Sequence, residues 1–313
     1  MTVSFKTRAA RGRQAGGMDI DLDRATAFMA GHARLLDRRR FEHLVRPTEH
    51  TGPAILAALD AYRNPDGGHG HGLEPDLRSP ESQPGGALHA LEAMADAAPA
   101  TYPHAPALLD RLGAATLPDG GLPFALPVTD PAACAPFWVS ADPAASSLQI
   151  TAAVTAQAHR AARTDPRVAD HPWLATATEY CLGEIAAIEE APFAYVLSFA
   201  LGFLDAVVDT RPEAAGLLRR LARFVPADGR VPVAGGAAGE TLHPLDYAAA
   251  PGRPIREHLD AGAVAADLDR LERGQRPDGG WTVDFTSHSP AAALEWRGYT
   301  TVSAVAALRA NGR

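Results

Sequence analysis

Cysteine is nearly absent from this 313-residue chain: Cys134 and Cys181 lie far apart, with no Cys-x-x-Cys partner. That excludes a disulfide framework and a cysteine-rich zinc module, and it fits a reducing, cytoplasmic setting. Long apolar runs are missing as well. No stretch approaches the roughly 20 residues of a membrane helix, and the basic start from Lys6 to Arg13 leads into Gln14-Ala15-Gly16-Gly17 rather than an apolar core, so neither a signal peptide nor membrane integration is expected. There is no basic surplus: 29 Lys and Arg against 37 Asp and Glu give a net charge of -8, which argues against nucleic acid as a partner. β-Branched clusters are rare and alanine is abundant, so local propensity favours helix nearly everywhere outside Gly and Pro. The expectation is an all-α chain. Residues 1–17 read as a disordered tail, or as sequence ahead of a start at Met18, and 18–313 as one domain.

Helical spacing runs through about 22–44, 53–63, 84–97, 104–115, 146–163, 173–188, 193–209, 213–225, 257–275 and 299–310. An internal repeat organises these segments. Pro65-Asp66-Gly67-Gly68, Pro118-Asp119-Gly120-Gly121, Ala227-Asp228-Gly229-Arg230 and Pro277-Asp278-Gly279-Gly280 each follow a helical segment, with Pro fixing φ and Gly supplying a positive φ. Their aspartates are 53, 109 and 50 positions apart, so a degenerate turn is expected inside the long gap, at Glu189-Glu190-Ala191-Pro192. A period near 50 means stacked helical hairpins. The last repeat carries Trp281, Phe285, Trp296 and Tyr299 rather than a polar cap, which favours closure of last on first. The expected architecture is a single α/α toroid (barrel) of about five to six helical hairpins, with a pocket in its middle and long loops at one mouth.

Those loops are residues 69–83, 122–145 and 229–256, and they hold most of the candidate chemistry. Glu74 and Asp76, two apart, can share a proton as a general acid requires, or can brace the loop with Arg78. His69-Gly70-His71 has a spacing that presents two imidazoles to a metal beside those acids. The alternatives are site-lining or structural histidines, and proton transfer. Asp246, between Leu245 and Tyr247, is either a desolvated acid or a brace for Arg253 and Arg256. Glu295, Trp296, Arg297 and Tyr299 are expected just before the last inner helix, where the rings line a pocket and stabilise positive charge or else seal the last hairpin on the first. Phe193, Tyr195, Phe199 and Phe203 recur at helical steps as core or cavity wall. Phosphate-cradling fingerprints are missing, leaving Arg78, Arg253, Arg256 and Arg297 to meet a diphosphate or to form surface pairs.

Gln275-Arg276-Pro277-Asp278-Gly279-Gly280-Trp281, with Leu271 four residues before it, matches the Gln-x-x-x-Gly-x-Trp motif of squalene-hopene cyclases. Over roughly residues 50–311 the chain resembles the terpene cyclase and prenyltransferase-like α/α toroid superfamily. Gly67 to Asp76, Pro244 to Tyr247 and Leu294 to Thr301 look like a bacterial subgroup of unassigned function. The resemblance implies that the turn motif is structural, with Gln and Gly tying an outer helix end and Trp packing on the neighbour. It implies an enzyme that cyclises a hydrophobic isoprenoid after protonation in an apolar central pocket. Asp76 or Asp246 would be the donor, tuned by Glu74 or His71, with Glu295 a further catalytic candidate. Trp296, Tyr299, Phe199, Tyr247, Arg78 and Arg297 would bind the substrate. No cofactor is required, and Mg²⁺ enters only with a diphosphate substrate. The family's Asp-x-Asp-Asp, Asp-Asp-x-x-Asp and zinc-binding motifs are missing, and Asp19, Asp21 and Asp23 fit a helix cap and first turn. Two other classes stand beside this one: a non-catalytic toroid that binds a small molecule or protein, and a carbohydrate-active enzyme.

Overall fold

The computed structural model describes residues 20–313, so the expectations for residues 1–17 and Asp19 lie outside the described residues. The chain is mostly helical. Its helices are α1 (Leu22–His32), α2 (Leu35–Val45), α3 (Thr51–Leu59), α4 (Pro84–Asp96), α5 (Ala105–Ala115), α6 (Pro136–Val139), α7 (Leu148–Ala162), α8 (Pro166–Ala169), α9 (Pro172–Ala186), α10 (Ala194–Val207), α11 (Pro212–Ala222), α12 (Pro244–Tyr247), α13 (Ala261–Arg273) and α14 (Pro290–Ala310). A two-residue hairpin, β1 (Val231–Pro232) with β2 (Thr241–Leu242), interrupts the third long loop. Proline opens α4, α9, α11 and α14 at the one helical position where a missing N–H costs nothing. Asp21, Asp260 and Ser289 cap α1, α13 and α14 by accepting from backbone N–H groups.

The four repeated turns are one structure built four times. Asp66, Asp119, Asp228 and Asp278 each accept a hydrogen bond from the N–H two residues on, at 3.0, 3.1, 3.1 and 3.2 Å. Gly67, Gly120, Gly229 and Gly279 follow them with φ of +87°, +95°, +71° and +96°. The expected degenerate copy at Glu189 to Pro192 is the α9–α10 connection and has no positive φ. The turns lie in the connections after α3, α5, α11 and α13, and of the helices they separate α3 packs on α4 and α13 on α14.

Contacts between elements run in a circuit. α2 packs on α3, α3 on α4, α4 on α7, α7 on α10, α10 on α12, α12 on α13 and α13 on α14, and α14 returns to α1 and α2. The return is specific. Asp21 donates its N–H to Gln275 Oε1 (2.8 Å), Gln275 Nε2 donates to the Asp21 carbonyl (2.9 Å), and a Cβ on Gly279 would stand 2.2 Å from the Arg24 carbonyl. Trp281 is buried against Phe28 and α13, with its indole N–H on the Leu271 carbonyl.

Two helix boundaries differ from expectation in ways that matter for the site. The segment 22–44 is two helices, because Ala33 is extended (φ -79°, ψ 155°) and its carbonyl accepts from Arg38 Nε. The last helix starts at Pro290 rather than near 299, so Glu295, Trp296, Arg297 and Tyr299 lie inside it. Among the described residues no helix is long and apolar enough to cross a membrane.

Candidate functional site

Three helices turn a polar stripe toward one another. On α4, Gly85, His89, Glu92 and Asp96 recur at steps of four, three and four, which puts them on a single face. α2 contributes Asp37 and Arg40, preceded by Arg34, and α14 contributes Glu295, Trp296 and Tyr299. The loop after the first turn adds Glu74, Asp76 and Arg78.

His89 is at the centre and is 5% exposed. Its Nε2 lies 2.8 Å from Glu74 Oε2 and its Nδ1 2.9 Å from Glu92 Oε2. The Tyr299 hydroxyl donates to the other Glu92 oxygen at 2.8 Å. Burial works against a charged His89 ring, but Glu92 and Glu74 outweigh it and push its pKa up to about 9. Burial likewise opposes a charged Glu92, yet His89, Arg40 and Tyr299 bring it down to about 2. The Tyr299 phenol goes the other way, raised by burial and by Glu92. Arg40 stacks 5.3 Å above the Tyr299 ring centroid and pairs with Asp96 at 2.8 Å. Arg34 reaches Asp37 (2.9 Å) and the Leu73 carbonyl (2.9 Å). At neutral pH the centre therefore holds fixed charges of both signs, each with a partner.

Asp76, 4% exposed, accepts from the Trp296 indole N–H at 2.8 Å and from the His288 backbone N–H at 2.7 Å. Its own N–H donates to Glu74 Oε1 (3.0 Å). Glu295 pairs with Arg78 at 2.6 Å and stands 4.0 Å from Arg34. Trp296 meets His89, Tyr299 and Phe285 edge to face, with centroids 5.8, 5.4 and 5.2 Å away. An open cavity of about 440 Å³ is lined by Phe285, His288, Ser289, Pro290, Ala293 and Arg297 among others; Asp76 and Trp296 are not part of the lining but touch it, Asp76 through the His288 N–H and Trp296 through the Phe285 ring.

Glu74, Asp76, Arg78, Glu295, Trp296 and Tyr299 are thus brought together from distant parts of the sequence. The remaining candidates lie elsewhere. Asp246 is the third residue of α12, accepting from the His243 N–H in a capping box. Its carboxyl is desolvated although the residue as a whole is exposed, and with Asp267 and Asp284 nearby its pKa rises to about 6. Arg253 and Arg256 do not brace it: Arg253 pairs with Asp205 and Asp209, and Arg256 holds the Ala248 and Ala249 carbonyls. Tyr247 donates to the Gly229 carbonyl, and Phe199 stacks on Tyr195. Arg297 lines the cavity but is committed to Asp278 by two bonds of 2.8 Å.

The two histidines of the first loop go separate ways. His71 is exposed, with φ of +56° and its Nε2 2.9 Å from Asn64 Oδ1. His69 is fully buried with neither ring nitrogen bonded, and burial together with Arg63 lowers its pKa to about 4. Among the described residues no group of three or more His, Cys, Asp or Glu side chains is arranged to hold a metal ion. His89, Glu92, Asp96, Arg34, Asp37 and Arg40 were not singled out in the sequence. The available signal was a charged stripe at helical spacing inside an otherwise Ala- and Leu-rich segment.

No family model matches the chain, and a search of curated proteins found no match. Among solved structures, a crystal structure of a protein from Actinoplanes is similar over 93% of this chain and 98% of that one, with a TM-score of 0.53 and 18% sequence identity. At that identity the likeness concerns the fold alone.

Proposed function

We propose that the chain is a single closed α/α toroid that binds a small molecule in the cavity beside Phe285 and His288, with Asp76 as the recognising carboxylate. The closed circuit of helix contacts supports the toroid. The observation that carries the ligand site is Asp76 itself: a buried carboxylate with one N–H on each oxygen, touching the lining of a cavity through the His288 N–H. The two N–H donors occupy two of its four lone-pair positions, and the other two remain for a ligand. The matching ligand has an apolar body, to lie against Phe285, Val283 and Pro290, and a cationic or hydrogen-bond-donating end. An isoprenoid amine has that chemistry.

Proton-initiated cyclisation of an isoprenoid is the second reading, favoured by the position of Asp76 between cavity and aromatic cluster. It requires Asp76 to deliver a proton to the alkene. His89 cannot replace it, because an imidazolium with a pKa near 9 is far too weak an acid to protonate an alkene.

One experiment separates the readings. The protein and Asp76→Asn are titrated with farnesylamine, farnesol and farnesyl diphosphate by calorimetry. Geranyl, farnesyl and geranylgeranyl diphosphates and squalene are then incubated with both, with and without Mg²⁺, and analysed by gas chromatography and mass spectrometry. The binding reading expects the amine to bind tightest, with that preference lost in Asp76→Asn and no new product. A cyclic product lost in Asp76→Asn installs the cyclase reading. Absence of both binding and turnover in a folded protein overturns the two together.

A further inference from the structure

The loop that carries Asp76 is held from behind by a chain of hydrogen bonds. The Asp76 N–H donates to Glu74 Oε1, Glu74 Oε2 faces His89 Nε2, His89 Nδ1 faces Glu92 Oε2, and Glu92 Oε1 accepts from Tyr299. A neutral imidazole has one N–H and serves one glutamate, leaving its other nitrogen lone pair against the second carboxylate. Distances of 2.8 and 2.9 Å on both sides therefore call for a ring protonated on both nitrogens.

We propose that His89 is a positioning residue whose charge fixes Glu74 and, through Glu74, the backbone of Asp76, so that the carboxylate assigned above to ligand recognition is held in place only while His89 is an imidazolium. The charged and titratable groups around the ring are Glu92 on its own helix, Glu74 from the loop, Tyr299 from α14 and Arg40 from α2, and Arg40 is itself tied to Asp96. These set the outcome of deprotonation. Glu92 keeps the Tyr299 hydroxyl and the Arg40 charge, whereas Glu74 keeps only the Asp76 amide, so Glu74 is the partner released.

The proposal rests on Asp76 being the ligand-recognising group, but its test needs no ligand, so the two fail separately. Amide hydrogen exchange is measured on the whole chain between pH 7 and 10 and expressed as protection factors, which remove base catalysis. His89 is followed in parallel by its ring nitrogen shifts. Protection at the Asp76 and His288 amides is expected to fall about tenfold across the His89 midpoint, near pH 9, while the Val154 amide in α7 keeps its protection. Glu92→Gln removes the larger charge partner and should move the His89 midpoint and the loss of protection to lower pH together. Unchanged protection at Asp76 and His288 while His89 titrates overturns the proposal. So does a fall shared equally with Val154, which would make His89 an ordinary stabilising pair. If Glu92→Gln does not fold, the native titration decides alone.

Discussion

The two flanks of α4 solve the same problem by different physics. Toward α7 the interface is apolar and small, and α7 carries the same packing on to α10: Ile150, Ala153, Val154 and Ala158 on α7 and Leu197, Ala200, Leu201 and Leu204 on α10 are at most 3% exposed. Alanine lets these helices approach closely, and packing without directional bonds supplies the energy. Toward α2 and α14 the same helix presents His89, Glu92 and Asp96, and nearly every polar atom there has a named partner. A dry charged centre of this kind adds little net stability against an apolar one, because desolvation cancels most of the Coulomb gain. It is confined to the flank that meets the Asp76 loop, where His89 faces Glu74 and Glu74 accepts from the Asp76 amide.

The largest effects should come from breaking each flank once. Arg40→Met strips Asp96 and Asp37 of a buried cation and should cost about 3–5 kcal/mol in denaturant unfolding. Phe203→Ala empties a fully buried position on α10 and should cost a similar ~3–5 kcal/mol. The flanks then part company. Adding Asp96→Leu to Arg40→Met should recover part of the loss by removing the orphaned charge, although Arg160 also gives up a partner. No charge substitution repairs Phe203→Ala. Failure of the double variant to recover anything would mean that Arg40 acts by packing on Tyr299 rather than by charge.

The pH dependence of stability is the next contrast. His89 has a folded pKa of about 9, above its unfolded value near 6.5. Its contribution is complete below pH 6.5 and is lost as pH rises toward 9, roughly 3 kcal/mol at most. His69 and His159 are held near 4, chiefly by burial, with Arg63 beside the first and Arg211 beside the second. Their contributions are complete above pH 6.5 and are lost as pH falls toward 4, each again roughly 3 kcal/mol at most. Unfolding free energy should thus peak between pH 6 and 7 and fall on both sides. His89→Gln should flatten the alkaline limb alone, and His159→Gln the acid limb alone. An alkaline limb that survives in His89→Gln would assign it to another group.

What the sequence made legible follows the range of the interactions. The Asp-Gly turns were visible because their chemistry is local: an aspartate bonding two residues on and a glycine at positive φ need no tertiary partner. Glu74 and Asp76 stood out as two acids two apart in a Gly- and Pro-rich segment directly after the first turn, and Glu295 as one of the group expected just before the last inner helix. His89 and Glu92 did not, since Pro84 to Asp96 reads as an ordinary Ala- and Leu-rich helix, and which face meets α14 is decided by residues about 200 positions away. Arg34, Asp37 and Arg40 were hidden for a second reason. They follow a break at Ala33 that apolar spacing runs straight through, and Asp37-Arg38-Arg39-Arg40 has the composition of a solvated face. Asp246 shows the opposite error of scale: burial does raise its carboxyl, but its bond is a helix cap rather than a contact with the centre.

The smallest effect is the sharpest test of the comparison. Thr155 sits on α7, 0% exposed, and its hydroxyl faces nothing stronger than the Cys181 thiol. On the apolar side that oxygen is desolvated and has only a weak thiol beside it, so Thr155→Val, which keeps the shape and removes the hydroxyl, should change stability by less than about 1 kcal/mol, in the stabilising direction. The matched change on the polar flank is Tyr299→Phe, which also removes one hydroxyl but takes away the bond on Glu92 Oε1. That should destabilise by about 1–3 kcal/mol, since a buried carboxylate loses a donor. Equal effects of the two substitutions in thermal unfolding would mean that the polar flank admits water to replace a lost donor, and the division between the two faces of α4 would then be one of solvation rather than of pairing.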